Sequence, residues 1–462
     1  MNPLLPRRTV LQSLVGGSLL MPGIVSQLLA ESDGPSMKDD PLAPRPPHFP
    51  PRAKRVIFLF STGGVSHMDT FDHKPQLFAA DGKITGIGGG LSNQQRVLLK
   101  PLWEFRPGGQ CGTMVSDLFP NLRELMDDVC LIRSMKSDDN EHYQATLAIH
   151  TGSFFFSRPS LGSWVSYGLG TVNQNLPSFM VLAPHLPYAG TLVYANDFLP
   201  AYHQGVRVIP GPDPIPNLDR RTMQERVQQL ELGLSGALNR SHGARHPANQ
   251  ELAARVRTFE TAFHMQTEAR DVFDLSREPD NVLDLYGLSR DDTTGFGWQC
   301  LVARRLAERG VRFIELVDGS SSSNWDQHAD MADHGPRAKQ IDRPIAGLIR
   351  DLKRLGMLDD TLVVWTTEFG RTPGIDGTKG RGHHSACFSS WLAGGGVKGG
   401  SVYGSTDELA ATVAENKVHV HDFHATILHL LGIDHTRLTF RHAGRDFRLT
   451  DVHGRVVQEL IA

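Results

Sequence analysis

Residues 361–397 read TLVVWTTEFGRTPGIDGTKGRGHHSACFSSWLAGGGV. Leu362, Val363, Val364 and Trp365 are consecutive apolar residues, followed by Thr366 and Thr367. A short run without polar alternation reads as a strand buried on both faces, as in a parallel sheet. The strand ends on Glu368. A loop rich in Gly and Pro follows, then the adjacent His383 and His384, then a second apolar run from Phe388 to Ala393 closed by Gly394, Gly395 and Gly396. A carboxylate at a strand tip facing histidines across a loop suits a divalent cation. The plain alternative is a capped loop with surface histidines, and the pattern gains weight because it recurs along the chain.

Upstream, Lys54 to Phe60 (KRVIFLF) is a second buried strand that runs into STGGVSHMDTFD. Gly63 and Gly64 permit a sharp turn just past the strand, where open α/β sheets place ligands. Ser66, His67, Asp69 and Asp72 lie in that turn, with Asp69 or Thr70 as an ordinary helix N-cap in the plainer reading. The Gly-rich segment around Gly86 and Gly88 lacks a preceding strand and the G-x-G-x-x-G phase, which excludes a dinucleotide fingerprint. Val129 to Ile132 is a third strand. Beyond it, Asp138, Asp139 or Asn140 caps a helix whose first turn carries Glu141 and His142 and which ends near Gly152. Its N-terminus, with unpaired N–H groups and a positive dipole end, favours phosphate or sulfate. Ser157, Arg158 and Ser160 precede another helix, and PSFMVLA is a strand. Val311 to Val317 is a strand with Asp326 and His328 just past its tip. Arg343 to Leu358 is the helix leading back to Thr361. The tail HVHDFHATILHLLGID forms an amphipathic helix whose His421 and His424 read as helix-end residues. Because parallel strands end on one sheet edge, these junctions converge.

The chain of 462 residues carries a net charge of -3, 40% hydrophobic residues and 21 histidines. That balance offers nucleic acid no electrostatic footprint, while the histidines favour a metal site. Cys111, Cys130, Cys300 and Cys387 show no C-x-x-C spacing, leaving free thiols or one unassigned disulfide. Arg7 and Arg8 precede an interrupted apolar stretch, so residues 1–30 read as a twin-arginine export signal, the membrane being met only during export. Residues 31–52 form a Pro-rich linker outside the core. Residues 53–462 form the folded domain, with a helical subregion at 216–290 whose periodic runs face a core. The expected location is periplasmic or extracellular.

The segments VIFLFSTGGVSHMDTFD, HYQATLAIHTGS, NWDQH, TEFGRTP with GRGHH, and HDFHATILHLLGID resemble the domain of unknown function 1501 family, which is similar to the alkaline phosphatase and sulfatase superfamily. The resemblance spans Arg55 to Phe447. It implies a three-layer α/β/α sandwich with a mostly parallel central sheet. It also implies one or two divalent cations (zinc, manganese or calcium). His142 occupies the nucleophile slot, where the superfamily has Ser, Thr or Cys, and no C-x-P-S-R segment exists for formylglycine. The implied ligand sets are Asp326, His328 and His384 for one cation, and Asp69 and Glu368 for a second. His142 would be a further ligand, general acid or nucleophile, and Arg158 or Arg371 would grip the anion. The expected activity is hydrolysis of a small-molecule or polysaccharide phosphate or sulfate ester. The alternative is a non-catalytic exported protein that binds a polyanionic polysaccharide.

Overall fold

Strand β1 (Arg55–Ser61) buries every residue from Val56 to Ser61. Ile57 and Leu59 join one hydrophobic core, whereas Val56, Phe58 and Phe60 join another. A strand sends successive side chains to opposite faces, so a continuous apolar run is stable only if helices cover both. The computed structural model describes residues 41–86, 95–216, 218, 225–246, 250–320 and 323–462. The export signal expected at 1–30, with Arg7 and Arg8, lies outside the described residues.

In chain order the main elements are α1 (His67–Thr70), β2 (Val129–Lys136), α2 (His142–Thr151), α3 (Leu161–Leu169), β3 (Phe179–Leu182) and β4 (Val206–Val208). There follow α4 (Glu225–Ala244), α5 (Gln250–Phe273), α6 (Asp280–Tyr286), α7 (Gly295–Glu308), β5 (Phe313–Asp318), α8 (His334–Arg354) and β6 (Thr361–Thr366). The chain ends with β7 (Gly370–Asp376), β8 (Gly380–His384), β9 (Phe388–Ala393), β10 (Ser401–Tyr403), β11 (Val418–His419) and α9 (Val420–Leu430).

The central sheet has nine strands among the described residues, in the order β10, β2, β9, β6, β1, β5, β3, β4, with β11 also on β2. Every pairing is parallel except those of β9, which is antiparallel to both β6 and β2. Helices α5 to α8 pack on one face through residues such as Ala269, Tyr286, Trp298 and Ile345. Helices α2, α3 and α9 pack on the other through Leu147, Trp164 and Phe423. The expected α/β/α sandwich with a mostly parallel sheet is therefore what the chain forms.

Two local expectations change. The Gly- and Pro-rich stretch after Glu368 is a hairpin, β7 paired antiparallel with β8 and interrupted between Arg371 and Ile375. The helix expected from Arg343 begins at His334 and carries Pro344 inside. Proline favours a first helical turn, hence the late expected start. Here burial of Ile341, Ile345 and Leu348 holds the helix through the one missing hydrogen bond. Of the Pro-rich stretch expected outside the core, residues 41–52 are tied down. Arg45 N donates to Leu169 O, and Arg52 N donates to Leu430 O. All four cysteines are free.

Candidate metal centre

Strands β1, β2, β5 and β6 run in the same direction, so the residues just past their C-terminal ends meet on one edge of the sheet. Gly63 follows β1, His142 opens α2 after β2, Asp326 lies in the loop after β5, and Glu368 follows β6. Gly63 is required where it stands. Its φ is +111°, and a Cβ there would come within 2.7 Å of Trp325 N and 2.8 Å of Asp326 N. Only glycine lets the β1 loop abut the Asp326 loop this closely.

Glu368 is fully buried and accepts hydrogen bonds from Gly63 N and His142 Nδ1, both at 2.8 Å. Its other oxygen accepts from Thr367 Oγ1 at 2.9 Å. With Nδ1 donating to Glu368, the His142 Nε2 lone pair points onward and lies 3.2 Å from Asp326 Oδ2. His383 repeats the arrangement. Its Nδ1 donates to Asn140 O at 2.8 Å, and its Nε2 lies 3.1 Å from Asp326 Oδ1. His328 does the same, with Nδ1 on Asp376 Oδ2 at 2.6 Å and Nε2 at 2.9 Å from Asp326 Oδ1. The Nε2 atoms of His328 and His383 are 2.9 Å apart. Three imidazoles thus have Nδ1–H tied to an oxygen and Nε2 turned to one carboxylate.

The charges explain why such a cluster fits a cation. Burial opposes ionisation of Asp326, yet contacts with His142, His383 and Arg371 hold its carboxyl far below the usual range. Burial likewise opposes ionisation of Glu368, and His142 and Gly63 N overcome it, so Glu368 is ionised too. Desolvation pushes the His142 pKa down, but the two carboxylates outweigh it and raise the pKa. Burial lowers that of His383, which stays neutral. The Nε2 atoms of His328 and His383, 2.9 Å apart and both facing Asp326, form a pocket that positive charge between them would stabilise. His142 Nε2 is itself buried without a hydrogen-bond partner. Ligand atoms of His142, Asp326 and His383 all lie within 4.8 Å of one another. Imidazole Nε2 atoms whose Nδ1–H groups bind an oxygen are the usual dress of a metal-binding histidine, so the residues present fit a divalent cation.

Of the residues expected at the site, the structure gathers His142, Asp326, His328 and Glu368, with Arg371 against Asp326. His384 is elsewhere. It follows His383 in β8, and the pleat turns it into the core, where Nε2 donates to Ala411 O at 2.6 Å. Asp69 is also elsewhere. It makes a fully buried ion pair with Arg381 at 2.7 Å and accepts from Ser66 Oγ, so it forms no second cation site with Glu368. Arg158 pairs with Asp451 at 3.3 Å and lies over the Phe447 ring, away from the cluster. Arg371 is fully buried, donating to the carbonyls of Gly63, Gly64 and Arg381 and to Asp326. With its donors occupied inside the protein, it positions loops rather than gripping a substrate. None of Asp138, Asp139 and Asn140 caps α2, because Asp139 accepts from Glu141 N and Asn140 Oδ1 from Ser385 N.

Asp376 and Tyr188 were not singled out in the sequence, and of the adjacent histidines noted there only His384, not His383, was assigned to a cation. The ring of Tyr188 stacks on His142 at 4.1 Å, and its oxygen accepts from Asn324 Nδ2 at 2.8 Å. The one available signal was the Asp376-Gly377 turn. It marks a hairpin, and in that hairpin Arg371 lies opposite His383.

Residues 53–461 match the family model described as "Protein of unknown function (DUF1501)". No curated protein matches the chain. Among solved structures it is similar to the lipoteichoic acid synthase LtaP from Listeria monocytogenes, with 10% identity, 92% of this chain and 80% of that one covered, and a TM-score of 0.35. It is also similar to the PsFucS1 sulfatase from Pseudoalteromonas sp. (13%, 90% and 72%, 0.35). A third similar structure is Ps i-CgsB in complex with k-i-k-neocarrahexaose (11%, 81% and 71%, 0.37). Likeness at this distance carries nothing about chemistry.

Proposed function

This chain belongs to the DUF1501 family, and from that premise we propose that it is an exported, metal-dependent hydrolase of phosphate or sulfate esters. The observation that carries the reading is the convergence of three imidazole Nε2 atoms on Asp326, each imidazole anchored through Nδ1. His142, Asp326, His328 and His383 would hold one cation. Glu368, Asp376 and the Asn140 carbonyl orient the imidazoles. Three nitrogens and one carboxylate suit zinc or manganese better than calcium, which takes oxygen ligands. When bound, such a cation supplies Lewis acidity to water and to an ester oxygen.

The protein's own groups define the rest. Thr367 Oγ1, the hydroxyl beside Glu368, is occupied, since it accepts from Val65 N at 3.1 Å and donates to Glu368. His142 is bonded through Nδ1 to Glu368, and its Nε2, 3.2 Å from Asp326, is one of the atoms that would hold the cation. Neither is free to attack, so the nucleophile is water and the displacement is single-step, without a covalent intermediate. Tyr188 keeps its proton because burial and the nearby Asp326 raise its pKa. Its oxygen accepts from Asn324 and its O–H has no acceptor among the described residues, so it would protonate the leaving oxygen. His328 is 42% exposed, which opens the cluster to solvent and substrate.

The test is metal analysis of purified protein together with turnover of aryl phosphate and aryl sulfate esters. The expected result is one bound cation per chain, turnover lost with a chelator and restored by metal, and both lost in Asp326→Asn. Metal-free protein, or turnover indifferent to chelator, overturns the reading. Bound metal with polyanion binding but no turnover returns the non-catalytic alternative. Export is part of the same proposal, resting on Arg7 and Arg8. Replacing both with lysine should retain the protein in the cytoplasm on fractionation.

A further inference from the structure

Asn324 lies in the loop after β5, just ahead of Asp326, and is buried. Its Oδ1 accepts from Asp326 N at 2.8 Å, and its Nδ2 donates to Ser320 O at 2.6 Å and to Tyr188 Oη at 2.8 Å. The backbone settles which way this amide points. A main-chain N–H only donates and a main-chain carbonyl only accepts, so the atom facing Asp326 N is Oδ1 and the atom facing Ser320 O is Nδ2. The loop around it is held in turn, because Gln327 Nε2 donates to Asn324 O at 2.7 Å and Trp325 N donates to Thr62 O at 2.9 Å. A Cβ on Gly63 would come within 2.8 Å of Asn324 Oδ1, so the turn after β1 closes against the amide.

Tyr188 takes the direction of its proton from this arrangement. A phenol O–H both donates and accepts, and conjugation keeps its hydrogen in the ring plane, on one side of the oxygen or the other. With an amide N–H pointed at one side of Oη, the hydroxyl hydrogen is left the other. The ring itself cannot swing, because it stacks on His142 at 4.1 Å with the planes 11° apart. One amide thus holds the backbone of the cation ligand Asp326 through its oxygen and aims the hydroxyl of Tyr188 through its nitrogen.

We propose that Asn324 is a positioning residue that directs the Tyr188 proton to the leaving oxygen, acting through Tyr188 and not on the substrate itself. The proposal rests on the hydrolase reading above. In that step water forms a bond to phosphorus or sulfur, and the bond to the leaving oxygen breaks with its electron pair on that oxygen. The Tyr188 proton passes to it, and a proton of the attacking water returns through solvent to the phenolate. The test compares turnover of 4-nitrophenyl and benzyl esters of phosphate and of sulfate by the full chain. A nitrophenolate departs without help and an alkoxide needs a proton, so the ratio of the two rates, nitrophenyl over benzyl, reads the acid. Asn324→Asp keeps an oxygen for Asp326 N but sets a carboxylate oxygen against Tyr188, which draws the O–H inward. The ratio should then rise about 100-fold, the low end of what a general acid contributes. Tyr188→Phe should raise it as far, and the double variant no further, since all three remove the same proton. Asn324→Ala, which lets the hydroxyl turn without capturing its proton, should raise the ratio by a smaller factor, and it carries the test if the added charge prevents folding. An unchanged ratio in the Asn324 variants, with both rates falling together or the cation lost, makes Asn324 a loop support only and overturns the proposal. So does a double variant in which the two effects multiply, or a wild type that cleaves nitrophenyl esters alone. A wild type that turns over no ester sinks the hydrolase reading and the proposal with it, whereas a ratio moved by Tyr188→Phe alone sinks only the proposal.

Discussion

At His383 and His384 a single step along β8 separates an imidazole in the metal centre from one in the core behind it. His383 Nε2 faces Asp326, whereas His384 Nε2 bonds Ala411 O. His383→Ala should cut metal affinity at least tenfold, read by metal analysis after dialysis, with the melting temperature little changed. His384→Ala should keep its metal and lose about 1–3 kcal/mol of stability in urea, the usual scale for orphaning a buried carbonyl. Equal metal loss in both variants would refute the assignment. Glu368→Gln belongs to the same scale. Removing the negative charge that holds His142 Nδ1–H should weaken metal binding about 10–100-fold.

The hairpin of β7 and β8 carries Arg371 and His383 to the cluster and is held there by a buried staple. Arg381 donates to Asp69, to Pro373 O at 3.1 Å and to Leu99 O at 2.9 Å, with both charged side chains fully buried. Asp69, a cation ligand by the family resemblance, is instead the anion that makes burial of Arg381 tolerable. Asp69→Asn leaves that guanidinium without its counter-charge and should cost about 3–5 kcal/mol. Urea unfolding of the full chain measures it. The folded fraction should still bind its cation, because Asp69 contributes no ligand. A loss below about 1 kcal/mol would show that the pair does not hold the hairpin.

Across the whole molecule, buried histidines set the response to acid. Burial lowers the pKa of His203, His334 and His424 to about 3. Unfolded, they titrate near 6.5, so between these values the unfolded chain binds protons the folded one refuses. Stability is then full above about pH 7 and declines as pH falls through 6.5, by about 2 kcal/mol per histidine between roughly pH 7.5 and 5. Asp318 acts oppositely. Burial raises its pKa from 3.8 to about 6, so its contribution is present at low pH and lost as pH rises across that interval. Three groups against one leave a net acid sensitivity. Melting temperatures measured from about pH 8 to 5 should fall steeply below about 6.5, and a flat profile would count against these buried sites.

The layering was legible because each core strand advertises itself. Val56 to Phe60 and Leu362 to Trp365 lack polar alternation, and only a sheet covered on both faces accepts such runs. Parallel direction then places Glu368, Asp326 and His142 on one edge. By itself, then, the amino-acid order determined the sandwich and the edge that bears the chemistry. Tertiary structure alone decided which polar residues on that edge face one another. The pleat sends His383 and His384 to opposite sides, the interrupted register of β7 and β8 chooses which side is inward, and Arg381 claims Asp69 from 312 positions away. Those outcomes depend on pairings between distant segments, whose energies no local pattern of residues contains.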